Sequence, residues 1–96
     1  MYARVTTSLV REHDEALGHD LLAGALEQLR GQAGFRGLLI LAREDEGSSV
    51  AITLWEDEES VRASSDVAAR LRGETDRFGR IAQTVETFSV FAFETG

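Results

Sequence analysis

The stretch "GLLILAR", Gly37 to Arg43, places leucine or isoleucine at four consecutive positions. Successive side chains of a strand point to opposite faces, so Leu38 and Ile40 share one face while Leu39 and Leu41 share the other. "SVAITLW", Ser49 to Trp55, repeats the pattern, with Val50, Ile52 and Leu54 opposed to Ala51 and Trp55. Near the end, "TFSVFAFE" from Thr87 to Glu94 sets Phe88, Val90 and Ala92 against Phe91 and Phe93. A sheet with one face in water alternates apolar and polar residues, and these strands do not. Both faces must be sheltered.

Two helical segments are available for that. From Asp14, read as an N-cap, Leu17, Leu21, Leu22, Ala25, Leu26 and Leu29 recur at spacings of three and four, and Gly31 and Gly34 end the stripe. A second segment begins beside Glu56, Asp57, Glu58 and Glu59, whose carboxylates favour the positive end of a helix dipole. It continues through Val61, Val67, Ala68, Leu71 and Phe78, with "ASSD" (Ala63 to Asp66) as a break that Ser64 or Ser65 can cap and Gly73 as a second weak point. Adding "YARVTTSLV", Tyr2 to Val10, as the first strand, the order is βαββαβ. That order predicts an α+β ferredoxin-like domain over residues 1–96, a four-stranded antiparallel sheet with its helices on one face. The "EDEGS" loop with Gly47 makes the second and third strands a hairpin. The uncovered face calls for a homodimer: at ~25 cal/mol per Å², hiding about 400 Å² on each partner offers roughly 20 kcal/mol before association costs.

The 96 residues include 17 acidic and 10 basic side chains, a formal charge of −7. Such a surface repels phosphates, which argues against nucleic acid and anionic membranes as partners. The absence of cysteine excludes disulfides, thiol catalysis and thiolate metal sites. "MYARVTTSLVRE" has no long apolar core of a signal peptide, and no stretch approaches the roughly 20 apolar residues that span a bilayer, so a cytoplasmic location is expected.

"GFRG" (Gly34 to Gly37) opening the second strand, "ITLWEDEESV" closing the third, and the element order resemble the antibiotic biosynthesis monooxygenase family. The resemblance covers essentially the whole chain. It implies a dimeric α+β barrel, two sheets joined face to face. It also implies the activities found in that family: cofactor-free oxygenation of quinols or polyketide anthrones, haem degradation, or none demonstrated. For Trp55 it implies a wall beside a cavity between sheet and helices. Haem-degrading members add an asparagine on the first strand and a histidine on the second helix. This chain has no asparagine, and its second helix has no histidine, so haem degradation is disfavoured. Anthrone-oxidising members carry an asparagine four residues before the tryptophan and a tyrosine after it; here Ala51 and Val61 stand there. What remains is the tryptophan and an arginine of the second helix, from Arg62, Arg70, Arg72 and Arg77, with Arg72 the candidate anion stabiliser.

The residues themselves leave Trp55 open between a packing residue that ends a strand and a pocket wall with one N–H donor. Thr53 shares its face with Trp55 and Ala51, and Thr6 and Ser8 share a face of the first strand. If these hydroxyls meet, they furnish the few polar groups of an otherwise apolar ligand site; alternatively they serve β-propensity. His13 and His19 are six residues apart, on different sides of a helix, and read as a solvated helix start rather than a metal pair. Glu44, Asp45 and Glu46 belong to the hairpin loop. Ser64, Ser65 and Asp66 lack the glycines of a hydrolase elbow, and no phosphate-binding loop is present. The expectations are therefore a cofactor-independent monooxygenase with Trp55, Thr53, Thr6 and Arg72 at its pocket, a non-catalytic binder of a small aromatic ligand, or a structural dimer with a filled interior. No cofactor and no metal are expected.

Overall fold

The computed structural model describes residues 1–10, 15–43, 47–75 and 80–96. The elements run β1 (Tyr2–Val10), α1 (Glu15–Arg30), β2 (Phe35–Arg43), β3 (Ser48–Trp55), α2 (Glu58–Ala63), α3 (Ser65–Thr75) and β4 (Arg80–Ser89). The strands form one antiparallel sheet in the order β2-β3-β1-β4, the ferredoxin-like arrangement. His13, Asp14, the loop acids Glu44, Asp45 and Glu46, Arg77 and Phe78 lie outside the described residues.

Register fixes which residues share a face. Tyr2, Arg4, Thr6 and Ser8 of β1 stand opposite Trp55, Thr53, Ala51 and Ser49 of β3, and opposite Ser89, Thr87, Val85 and Gln83 of β4. Arg4 bonds to Val61 and Ser64 at the α2–α3 junction, so this is the face the helices cover. On β2, Phe35 pairs with Trp55 and Gly37 with Leu54, leaving Arg36 as the extra residue of a bulge. The bulge breaks period-2 alternation: Phe35 joins Leu38 and Ile40 on the covered face, three residues on rather than two. Arg36 turns outward to Glu56 at 3.2 Å.

The core follows from that register. Leu29 of α1, Val61 of α2 and Val67 of α3 close over Trp55, with Tyr2, Phe35, Leu38 and Leu71 packed around them. The break between α2 and α3 falls where the serine pair of "ASSD" stands. Ser64 caps α2, its Oγ donating to the Val61 carbonyl at 2.9 Å, while its own carbonyl receives Ala68 N–H at 3.0 Å and so opens α3. Asp57 caps the start of α2, accepting from Ser60 N–H at 2.8 Å and Ser60 Oγ at 2.7 Å, contacts that hold its carboxyl below the usual carboxylate range.

The fourth strand differs from its expected span of Thr87 to Glu94. The ladder runs from Arg80 to Ser89, its last rung pairing Ser89 with Tyr2 where β1 itself begins, and Met1 accepts one further bond from Val90 N–H at 2.9 Å. A strand ends where its partner ends, whatever its apolar alternation. Phe91 and Phe93 consequently stand past the ladder, 102% and 61% exposed. On the uncovered face, Leu39, Leu41, Phe88 and Leu9 are exposed large hydrophobic residues. β4 contributes Thr84 and Glu86 there too, so the greasy region is centred on β2 and β3. Among the described residues no helix is long and apolar enough to cross a membrane.

Gly34 holds the entry to β2 at φ +81°, a left-handed conformation, while its carbonyl accepts Glu56 N–H at 2.7 Å. A Cβ there would collide with the Cβ and Oγ of Ser60, an atom already bound to Asp57. Gly34→Ala should lower unfolding stability by about 2–4 kcal/mol from backbone strain and overpacking. Gly24→Ala, inside α1 with nothing within 4 Å of the new methyl, should raise it by about 0.5–1 kcal/mol. Urea titration of both variants checks the pair, and a neutral Gly34→Ala would contradict the packing described.

Candidate functional site

The covered face is divided along its length. Towards β2 it is apolar, with Phe35, Leu38 and Ile40; down the central strand it is polar, with Arg4, Thr6 and Ser8. The middle of a covered sheet is ordinarily its most apolar part, so a cation and two hydroxyls there stand out.

Trp55 is fully buried, at 0% exposure. Phe35 meets it edge-on, ring centroids 5.6 Å apart at 70°. Its Nε1–H donates to Thr53 Oγ1 at 2.9 Å, two residues back on the same face. The indole donor and the Thr53 hydroxyl thus satisfy each other. Thr6 is half-buried two residues along β1 from Arg4, opposite Ala51 and Val85. Ser8 is buried and accepts from Gln83 Nε2 at 3.1 Å.

The residue missed from the sequence is Arg4. It is 6% exposed, with its guanidinium carbon 5.8 Å from the Trp55 ring centroid. Nη2 donates to the Val61 carbonyl at 2.6 Å and Nη1 to Ser64 Oγ at 3.1 Å. That carbonyl also accepts from Ser64 Oγ and, at 3.4 Å, from Ser65 Oγ; it lies at the C-terminal end of α2, where the helix leaves carbonyls unpaired and partial negative charge collects. Burial, and then the positive charge of Arg72, push the Arg4 guanidinium below its ordinary range. It stays a cation at neutral pH, since arginine does not lose its proton in proteins. The available signal was spacing: Arg4 sits two and four residues before Thr6 and Ser8, on their face.

Of the other arginines considered, Arg62 reaches Glu58 at 3.9 Å on the surface, Arg70 is exposed, and Arg72 is half-buried on α3. His19 lies on α1. Among the described residues there is no group of three or more histidine, aspartate or glutamate side chains placed to hold a metal ion.

An open groove of ≈ 490 Å³ lies between α1 and β2, lined by Leu22, Leu26, Arg30, Phe35, Gly37, Leu38 and Ile40. Trp55 is not part of its lining. It stands behind Phe35 and Leu38, which touch both the groove and the tryptophan cluster. The Thr53, Arg4 and Trp55 group is therefore one side-chain layer from that groove.

The fold recurs in solved structures. SnoaB, a cofactor-independent oxygenase from Streptomyces nogalater, superposes with a TM-score of 0.73 at 19% identity, over 96% of this chain and 94% of that one. A putative antibiotic biosynthesis monooxygenase from Deinococcus radiodurans gives 0.75 at 11% identity, over 99% and 97%. The monooxygenase ActVA-Orf6 of Streptomyces coelicolor, in complex with nanaomycin D, gives 0.71 at 20% identity, over 99% and 91%. At these identities the likeness concerns the fold. No curated protein matches the chain. The family model described as antibiotic biosynthesis monooxygenase matches residues 1–84, and with that the ferredoxin-like sheet, its broken second helical segment and the tryptophan closing β3 fall into place: the chain belongs to the antibiotic biosynthesis monooxygenase family.

Proposed function

We propose that this chain is a cytoplasmic, cofactor-independent monooxygenase acting on a small electron-rich aromatic of the quinol or anthrone type, working as a homodimer joined through the outer sheet face. Family membership supports the reaction type, and so does the likeness to SnoaB, itself a cofactor-independent oxygenase. One observation on the chain carries the reading. The interior between sheet and helices holds positive charge beside a tryptophan, where an anionic form of an aromatic substrate is favoured.

Such chemistry asks little covalent work of the protein. The substrate loses a proton to give a phenolate or enolate, and that anion reduces dioxygen. For an anthrone, a CH2 group and O2 become a carbonyl and water, all four electrons coming from the substrate. The protein must favour the anion, hold its ring and keep water out. Arg72 is the candidate for the first task, half-buried on α3 with its positive charge acting on Arg4. Trp55, with Phe35 before it, supplies the aromatic wall. Thr53 fixes the indole through its N–H, and Thr6 offers a half-buried hydroxyl on the same face.

Oxygen consumption on a panel of hydroquinones and anthrones should be accelerated by the protein. Arg72→Gln should slow it about 100–1000-fold, the scale expected on losing one stabiliser of a developing oxyanion. Trp55→Phe is the informative tryptophan variant, because Trp55→Ala would cost about 3–5 kcal/mol of stability and confound the assay. No acceleration across the panel would defeat the proposal.

A second reading, a non-catalytic binder or filled structural dimer, draws on the same tryptophan: its N–H is spent on Thr53 and its ring is fully buried. Indole fluorescence that changes on adding an aromatic ligand, without oxygen consumption, would select the binder.

The dimer is tested separately. Light scattering at micromolar concentration should give twice the chain mass. Leu41→Glu, at a position already 49% exposed on the outer face, should shift the population toward single chains. A wild-type monomer would contradict the shared sheet face.

A further inference from the structure

We propose that the segment following β4, Phe91 to Glu94, is an arm exchanged between two copies of the chain: Phe93 of one copy enters the groove between α1 and β2 of the other, and Glu94 meets the partner's Arg30 at its rim. The inference rests on the homodimer proposed above, and adds that each groove is incomplete without a residue of the second copy.

The arm and the groove are both apolar surfaces open to water. Phe91 is fully exposed and Phe93 largely so, beyond the last rung of the ladder. In the groove, Leu22 and Ile40 are exposed large hydrophobic residues, beside Leu26, Phe35 and Leu38. Gly37 belongs to the same lining and has no side chain, so the backbone of β2 itself borders the groove there. β2 is an outer strand of the sheet, and the groove therefore opens at the sheet edge.

Reach decides which groove the arm can fill. Phe35, Trp55, Tyr2 and Ser89 form one row across the end of the sheet, so arm and groove lie at the same end. They lie at opposite edges, three strand spacings or about 14 Å apart. Val90 is tied to the Met1 carbonyl, and the three residues from there to Phe93 extend at most about 10–11 Å. Phe93 falls short of its own groove. With two sheets stacked by their outer faces, a two-fold axis along the strands sets β4 of one copy over β2 of the other, at the same end. Stacked sheets are about 10 Å apart, which the arm can span.

Area and charge favour the same occupant. Outer faces of about 400 Å² on each partner bury about 800 Å² together, short of the roughly 1,200 Å² at which stable interfaces begin. A buried phenylalanine adds about 150–250 Å², so Phe91 and Phe93 from both copies supply about 600–1,000 Å² and close that gap. Among the described residues, the charged side chain in the groove lining is Arg30, and Glu94, directly after Phe93, brings the opposite charge. A ring seated there covers Phe35 and Leu38, the layer that separates the groove from Trp55, and keeps water off it.

The test uses the full chain, whose lack of cysteine makes an introduced pair unambiguous. Leu26→Cys combined with Phe93→Cys, gently oxidised, should form a disulfide between those two positions that joins two chains, at twice the chain mass under denaturing conditions. Arg62→Cys on the surface of α2, combined with Phe93→Cys, should not. A link within one chain, or a yield no higher than that of the Arg62 pair, overturns the arm. Phe93 is exposed in the single chain, so Phe93→Ser leaves the fold intact. In sedimentation it should raise the dimer dissociation constant about tenfold or more, the scale of withdrawing one buried phenylalanine. Arg30→Glu should raise it about two- to fivefold and added Glu94→Arg should restore it; no restoration overturns the Glu94–Arg30 pairing. A wild-type dimer that Phe93→Ser does not weaken overturns the arm and leaves the homodimer standing, whereas a wild-type monomer removes both.

Discussion

The contact on which the rest of this structure turns is the guanidinium of Arg4, held between the Trp55 ring and the Val61 carbonyl. It ties the central strand to the corner where α2 stops and α3 begins. The carbonyl it meets belongs to a helix end, where partial negative charge is available without a carboxylate. The ring offers its electron-rich face, a contribution of about 0.5–2 kcal/mol depending on exposure. Neither partner cancels a full positive charge. Among the described residues no carboxylate pairs with it, so this corner keeps a positive character inside an acidic protein, and the functional reading grows from that.

The two faces of the sheet divide the remaining work. On the outer face, β2 and β3 present hydrocarbon with no helix above it, which suits a second copy of the chain. On the inner face the bulge at Arg36 brings Phe35 onto Trp55 and leaves Leu38 and Ile40 lining a groove under α1. One extra residue thus builds both the aromatic pair and the groove wall. The kink at Ser64 does a comparable job for the helices. A straight helix through this segment would carry no free carbonyl at Val61 for Arg4 to bind.

Much of this was legible in the sequence because it rests on periodicity. β1, α1, β2 and β3 lie where alternation, apolar spacing and glycine place them, and the helix break sits in the serine pair. What was not legible depends on partners distant in sequence. The last rung of β4 falls where β1 begins, and no local pattern around Phe91 or Phe93 encodes that. The bulge at Arg36 depends on cross-strand register. An arginine among threonines on a first strand, such as Arg4, reads from sequence as a surface residue. Its burial follows only once a helix end is laid across it. The sequence leaves Trp55 open between a packing residue and a wall; the structure makes it fully buried, with its N–H on Thr53.

The most direct measurement of the central claim is nitrogen-detected NMR of the arginine side chains in the free protein. The account predicts that the Arg4 guanidinium protons exchange with water far more slowly than those of exposed Arg62 and Arg70, and carry a ring-current shift that Trp55→Phe diminishes. Arg4 protons exchanging as fast as those of Arg62 and Arg70, at unshifted frequencies, would contradict it.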